Sequence, residues 1–218
     1  MKFEPDVVSD STLMEIPVKE CGEKLVNARD YSKSIIIDIE PLNKKSQQLK
    51  DDECFVRETV AIMLSCAQSI LPNNFSIKLV DGFRSMSIQK ELYHSVFEEF
   101  KNKFPTLSDE ELEIKTDKFV ANPKIIPPHT TGGAIDLTLV DSNLNELDMG
   151  TSVNFLADEA ATNHPNISEE AKKNRQILIE CLEKVGFVNY PLEWWHWSYG
   201  DRTWAFYKKK TFSIYHSL

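Results

Sequence analysis

An aspartate in the middle of an apolar strand restricts this chain more than any other feature. Ala134-Ile135-Asp136-Leu137-Thr138-Leu139 follows Gly132-Gly133 and reads as a strand running to Val140. Ile135, Leu137 and Leu139 share one face of it, and Asp136 shares the other with Ala134 and Thr138. Aspartate is disfavoured at such a position, so a partner is expected. His129 lies seven residues earlier, in a Pro/Gly-rich stretch that can fold back beside the strand. Spacing alone leaves two readings open. Asp136 caps a turn beside a surface histidine, or the pair belongs to a site.

A second segment complements the first. In Pro191-Leu192-Glu193-Trp194-Trp195-His196-Trp197, a strand starting at Trp194 puts His196 and Trp194 on one face and Trp195 and Trp197 on the other. Glu193 stands at the head of that strand, within reach of His196 without sharing its pleat. The tryptophans read as packing. Charged groups beside them need partners. His129, Asp136 and His196 together make two imidazoles and a carboxylate, a three-ligand set that suits a catalytic zinc with one open position. Glu193 is then a spare carboxylate that can take a proton from the attacking water and pass it to a leaving amine. Arg84, on a turn after a strand, can offset charge on a developing oxyanion; its plainer reading is an ion pair with Asp81. No H-E-x-x-H helix is present.

The rest of the chain reads as interspersed strands and helices without regular β-α-β alternation, which favours an α+β fold over a doubly wound sheet. Ser34–Ile39 reads as a strand stopped by Pro41, and a polar loop begins at Lys44. Val56, Val60, Met63, Ala67 and Ile70 mark a helix face ended by Pro72. Phe75, Ile77 and Leu79 alternate as a strand. Asp81-Gly82-Phe83-Arg84-Ser85 turns into a helix with Ile88, Leu92, Val96 and Phe100 inward. Ser108 and Glu111 have capping-box spacing and start a charged helix to about Val120. A further helix runs from Ser168 to a stop at Gly186, with Ala171, Leu178, Cys181 and Val185 inward. Glu193–Tyr207 reads as two short strands joined at Gly200-Asp201. The 218 residues read as a single domain.

Composition removes some partners. Net charge is −9, which disfavours nucleic acid and anionic membrane, and the Lys208-Lys209-Lys210 run reads as a solvated face. No apolar leader follows Met1 and no stretch reaches the length of a membrane span, so a cytoplasmic location is expected. The four cysteines form no C-x-x-C pair; Cys66 and Cys181, inside helical patterns, read as core thiols. His94 and His164 read as surface residues, and His216 lies in a tail that is open to disorder.

These segments resemble the zinc D,D-peptidases of the VanX type, the D-alanyl-D-alanine dipeptidases. His129-Thr130-Thr131-Gly132-Gly133-Ala134-Ile135-Asp136 fits their H-x-x-G-x-A-x-D motif, Glu193-Trp194-Trp195-His196 their E-x-W-H segment, and Asp81-Gly82-Phe83-Arg84 their D-G-[YF]-R. Met149-Gly150 with Phe155, and Asn174-Arg175 through Gly186-Phe187, extend the likeness, which is clearest over about residues 75–200. The resemblance implies an α+β fold with an antiparallel sheet flanked by helices, shared with D-Ala-D-Ala carboxypeptidases and hedgehog-type domains. It implies one Zn2+ per chain on His129, Asp136 and His196, Glu193 as catalytic base and acid, Arg84 at the tetrahedral intermediate, and a small D-amino-acid peptide as substrate.

Two positions depart from the family. A serine expected two residues before the first histidine is Pro127, and an aspartate that holds the dipeptide ammonium is Asn154. Asp81 and Tyr31 are the other candidate substrate contacts. The departures leave alternatives open: a carboxypeptidase or endopeptidase on larger peptidoglycan stem peptides, or a non-catalytic zinc-stabilised binding module.

Overall fold

The computed structural model describes residue 5 and residues 7–218; most of the N-terminal stretch read for a leader lies outside them. Helix α1 (Asp10–Glu15) is followed by β1 (Leu25–Asn27), β2 (Ile36–Ile37), α2 (Pro41–Gln47) and β3 (Phe55–Arg57). Next come α3 (Glu58–Ile70), β4 (Phe75–Asp81), α4 (Met86–Lys103) and α5 (Asp109–Thr116). The last third holds β5 (Ala134–Asp141), α6 (Glu169–Val185), β6 (Val188–Tyr190), β7 (Glu193–Ser198) and α7 (Arg202–Tyr207). Among the described residues no helix is long and apolar enough to cross a membrane.

Five strands form one sheet in the order β2-β4-β5-β7-β6, and β1 pairs with β3 in a separate two-stranded ribbon. The pairings β4–β5, β5–β7 and β6–β7 are antiparallel, while β2 joins the edge in parallel. Ile77, Leu79, Ile135, Leu137, Leu139 and Trp197 are fully buried. They belong to one core with Val60, Leu64 and Ala67 of α3 and Leu178 and Leu182 of α6. The alternation read from β5 therefore sets which sheet face meets the two helices, and it leaves Asp136 on the other. A smaller apolar cluster, Val96, Phe100, Leu112 and Val120, joins α4 to α5. Ser108 closes the expected capping box with Glu111 at the start of α5. Gly186 ends α6 in the left-handed conformation, φ +111°.

Several expectations fail for local reasons. Pro41 does more than stop a strand: it occupies the first turn of α2, a position where its missing N–H costs nothing, and the expected polar loop is this helix. The strand read over 34–39 pairs only at Ile36–Ile37. Val56 lies in β3 opposite Val26, and α3 begins two residues later at Glu58; β-branched Val56 suits either element. The second strand expected after Gly200 is helix α7. Asp201 caps it by accepting from the Trp204 backbone N–H at 2.8 Å, and Thr203, Trp204 and Ala205 are buried. Aromatic content suggested strand where an N-cap decided helix. Cys66 is exposed whereas Cys181 and Cys54 are buried. His164 is buried rather than on the surface. The C-terminal tail is tied down: the His216 N–H donates to Glu20, and its carbonyl accepts from Arg57 at 3.2 Å.

Candidate active site

β5 and β7 place two of the expected ligands side by side. Asp136 is the direct cross-strand partner of His196, and its Oδ1 lies 3.0 Å from His196 Nδ1. On the other side Asp136 faces Asp81 across an irregularity in the β4–β5 pairing. His129 comes from a 3-10 turn, Pro128–Thr131, that folds back over the head of β5. Pro128 starts the turn, and Gly132, at φ +73°, ends it in a conformation that disfavours a side chain. The result puts His129 Nε2 3.3 Å from Asp136 Oδ2 and 3.2 Å from His196 Nδ1.

These three residues offer donor atoms within 4.8 Å of one another, and all three are buried. The outer contacts fit a metal. His129 Nδ1 donates to the Gly82 carbonyl at 2.8 Å, so Nε2 keeps its lone pair for the centre, a common way of fixing a ligating imidazole. Gly82 can approach so closely because it lacks a side chain; a Cβ there would sit 2.7 Å from the Phe55 carbonyl and the Cys54 sulfur. Burial raises the cost of charge on Asp136, yet His129 and His196 outweigh it and hold the carboxyl below its usual range. The same carboxylate raises the His129 imidazole against the opposing effect of burial. Two nitrogens and one ionised oxygen, buried and convergent, are a donor set that suits zinc.

Glu193 stands beside this cluster and outside it. Its Oε2 is 4.0 Å from His196 Nδ1. The two residues are three apart and would face opposite ways in a regular strand. A register shift between β6 and β7 at Asn189/Tyr190 brings them together. Asn189 stabilises the irregular start by donating from one amide to the carbonyls of Glu193 and His196, each at 3.0 Å. Burial, reinforced by Asp136 and opposed by Arg84, pushes the Glu193 carboxyl well above its ordinary range. A carboxyl so tuned is suited to accepting and returning a proton.

Arg84 makes the ion pair with Asp81 that its plainer reading anticipated. Its Nε donates to Asp81 Oδ2 at 3.1 Å, and its Nη1 donates to Gln89 Oε1 at 2.9 Å. Burial works against its charge, and Asp81 and Asp136 outweigh burial. Asp81 is thus committed to orienting Arg84; it also accepts from the Gly82 N–H at 2.8 Å. Gln89 carries no motif of its own, and sequence reasoning missed it. It bridges Arg84 to the Ala121 carbonyl, donating at 2.7 Å.

A cavity of about 360 Å³ reaches His129, Asp136, His196, Glu193 and Arg84, and Pro127 and Asn154 also line it. Asn154 adopts φ +61° and donates to Glu40 Oε1 at 3.0 Å. Glu40 lines the same cavity and was not legible beforehand, since it precedes Pro41 in no recognisable motif. Burial raises its carboxyl, Asn154 offsets this in part, and Asp81 and Asp136 add to the rise. Tyr31 lies apart: its hydroxyl donates to Glu58, and it does not line the cavity.

Three convergent donors that could hold one metal ion, with an uncommitted carboxylate beside them, make up the candidate centre. The chain belongs to the M15 peptidase family of D-ala-D-ala dipeptidases, whose pattern matches residues 39–217. It is 37% identical over 95 residues to a D-alanyl-D-alanine dipeptidase of Synechocystis sp., covering 38% of each chain. It is 35% identical over 79 residues to one of Escherichia coli, covering 36% of this chain and 41% of the relative. The matched segments thus span less than half the length of these curated relatives. Among solved structures it resembles VanYB in complex with D-alanyl-D-alanine, with a TM-score of 0.45 and 14% identity over 74% of this chain and 82% of that one.

Proposed function

We propose that this chain is a zinc-dependent peptidase that hydrolyses D-alanyl-D-alanine or a closely related D-amino-acid dipeptide. The observation that carries the reading is the buried His129, Asp136, His196 cluster with Glu193 Oε2 4.0 Å from His196. His129, Asp136 and His196 would hold zinc, which would supply Lewis acidity toward the peptide carbonyl and ease deprotonation of water. Glu193 accepts the proton of the attacking water and returns it to the leaving amine as the C–N bond breaks. Arg84, locked by Asp81 and Gln89, presents fixed positive charge to the oxygen on which negative charge develops. Preorganisation matters here, because a guanidinium already oriented by two partners reorganises little during the reaction.

Asn154 lacks the charge that its family position implies, and Glu40 supplies a carboxylate hydrogen-bonded to it on the same wall. We assign the pair to the substrate ammonium. That assignment favours a free amino terminus over the extended stem peptide of a carboxypeptidase or endopeptidase. A binding module that keeps zinc for stability has no use for a buried proton carrier such as Glu193. The test is release of free D-alanine from D-Ala-D-Ala by protein loaded with one zinc per chain, compared with N-acetyl-D-Ala-D-Ala. The expected result is release from the free dipeptide in preference to the acylated one. No release from either would sink the D-alanyl-D-alanine assignment, and preference for the acylated form would transfer the reading to the carboxypeptidase class.

A further inference from the structure

The cavity that holds the candidate centre is not polar on all sides. Away from the sheet it is lined by Ile88 and Leu92 of α4, by Val120, Ile125 and Ile126 of the segment that leads into His129, and by Leu156. Ile125 and Ile126 are half-buried. Leu92 and Leu156 pack against the α4–α5 cluster, so part of this wall is an outer layer of an apolar core.

Several polar groups near the wall are already engaged, although Asp10, Asp117 and Lys118 also line the cavity. Pro127 and Pro128 have no N–H to offer. The Pro127 carbonyl accepts from the Thr130 hydroxyl at 2.7 Å and the Pro128 carbonyl from the Thr131 hydroxyl at 2.6 Å. Gln89 spans Arg84 and the Ala121 carbonyl. A polar substrate group pressed against these side chains would lose water without gaining a partner, which is costly. An apolar group there gains in proportion to the area it buries. At about 360 Å³ the cavity is also large enough for a compact drug-sized ligand. Two methyl side chains would leave much of the apolar wall facing water.

We propose that this site selects a dipeptide in which one residue carries a bulky apolar side chain, of leucine or phenylalanine type, seated against Ile88, Leu92, Ile125 and Ile126. The inference rests on the zinc-peptidase reading and names the substrate class within it. The serine-to-proline change at 127 and the Ile125-Ile126 pair before it become parts of one device, a dry wall beside the first histidine.

The experiment compares kcat/KM of zinc-loaded protein for D-Ala-D-Ala, D-Leu-D-Ala and D-Ala-D-Leu. One of the leucyl dipeptides is expected to exceed D-Ala-D-Ala by about tenfold or more, the discrimination that added methylenes give in an apolar pocket. In Ile126→Asn, with zinc content checked at one per chain, that ratio is expected to fall severalfold. Ile125→Asn is the second variant and should lower the same ratio. Turnover of D-Ala-D-Ala above both leucyl dipeptides overturns this inference and leaves the peptidase reading standing. A leucyl advantage that survives both substitutions overturns the wall assigned here. No turnover of any of the three, by protein holding its zinc, overturns the peptidase reading itself and this inference with it.

Discussion

Two sides of one cavity are built differently. On the sheet side, Asp136 and His196 are cross-strand partners on β5 and β7, so backbone pairing sets their separation. On the far side, Glu40, Asn154, Ile125 and Ile126 arrive from segments far apart in the chain and meet only through tertiary packing. Groups that must converge within a few ångströms sit on strands whose register cannot slip without turning every side chain over. Groups that choose among substrates sit on segments where substitution costs the scaffold little. The sheet side carries the residues that fit the family motifs, whereas the far side carries the two departures from that resemblance, Pro127 and Asn154.

The comparison breaks most visibly on the sheet side. Asp136→Asn keeps the shape and removes the charge that two histidines face. Zinc affinity should fall by more than the ~10–100-fold typical of losing an outer contact to a ligand, read as zinc per chain after dialysis against a weak chelator. Retention of full zinc would place the metal elsewhere. Arg84→Lys keeps the charge and loses the two-armed hold on Asp81 and Gln89. It should lower kcat by about 100-fold with little change in KM, and an unchanged kcat would remove Arg84 from the reaction.

The far side should yield smaller, more selective effects. Glu40→Gln is expected to raise KM for D-Ala-D-Ala about tenfold and to leave N-acetyl-D-Ala-D-Ala unaffected. In the wild type, burial and nearby carboxylates raise the Glu40 carboxyl. Its charge is therefore lost as pH falls, before an ordinary glutamate is neutralised, and KM should rise over that interval; equal KM profiles for wild type and variant would contradict the assignment. The smallest effect lies outside the cavity, where Glu20 receives Arg57 Nη2 at 3.0 Å. Burial pushes Glu20 up, but the backbone N–H groups of His216 and Gly22 together with Arg57 outweigh it, so its carboxyl is lowered. A lowered carboxyl stabilises the fold above its unfolded value and loses that contribution as pH falls through the folded value. The acid-side decline in Tm should therefore be shallower in Glu20→Gln; an identical slope would show that the contact contributes nothing measurable.

What could be read from the sequence divides along the same line. The β5 alternation, the Gly186 stop and the Ser108 capping box are local signals, and the structure has each where it was expected. Asp136, Glu193 and His196 drew notice because a charged or polar residue in mid-strand or beside tryptophans needs a partner, and the motifs they share with His129 decided between the readings that spacing left open. Glu40 and Gln89 drew none, since neither is out of place in its own segment. Their roles depend on Asn154 lying 114 residues away and on Arg84 turning toward α4. The start of α2 was hidden because a proline reads as a breaker whether it ends a strand or opens a helix. Helix α7 was hidden because its aromatic residues resemble a strand until the Asp201 cap is recognised.

The central claim is that the metal cluster, drawn from β5, β7 and the turn before β5, and the proton carrier Glu193 at the head of β7 are separate devices. Glu193→Ala tests it most directly, with zinc content and D-alanine release measured on the same sample. One zinc per chain is expected, as in wild type, with a fall in turnover of about 100-fold to 10,000-fold. Loss of zinc would make Glu193 a ligand, and wild-type turnover with zinc in place would remove it from the chemistry; either result contradicts the account.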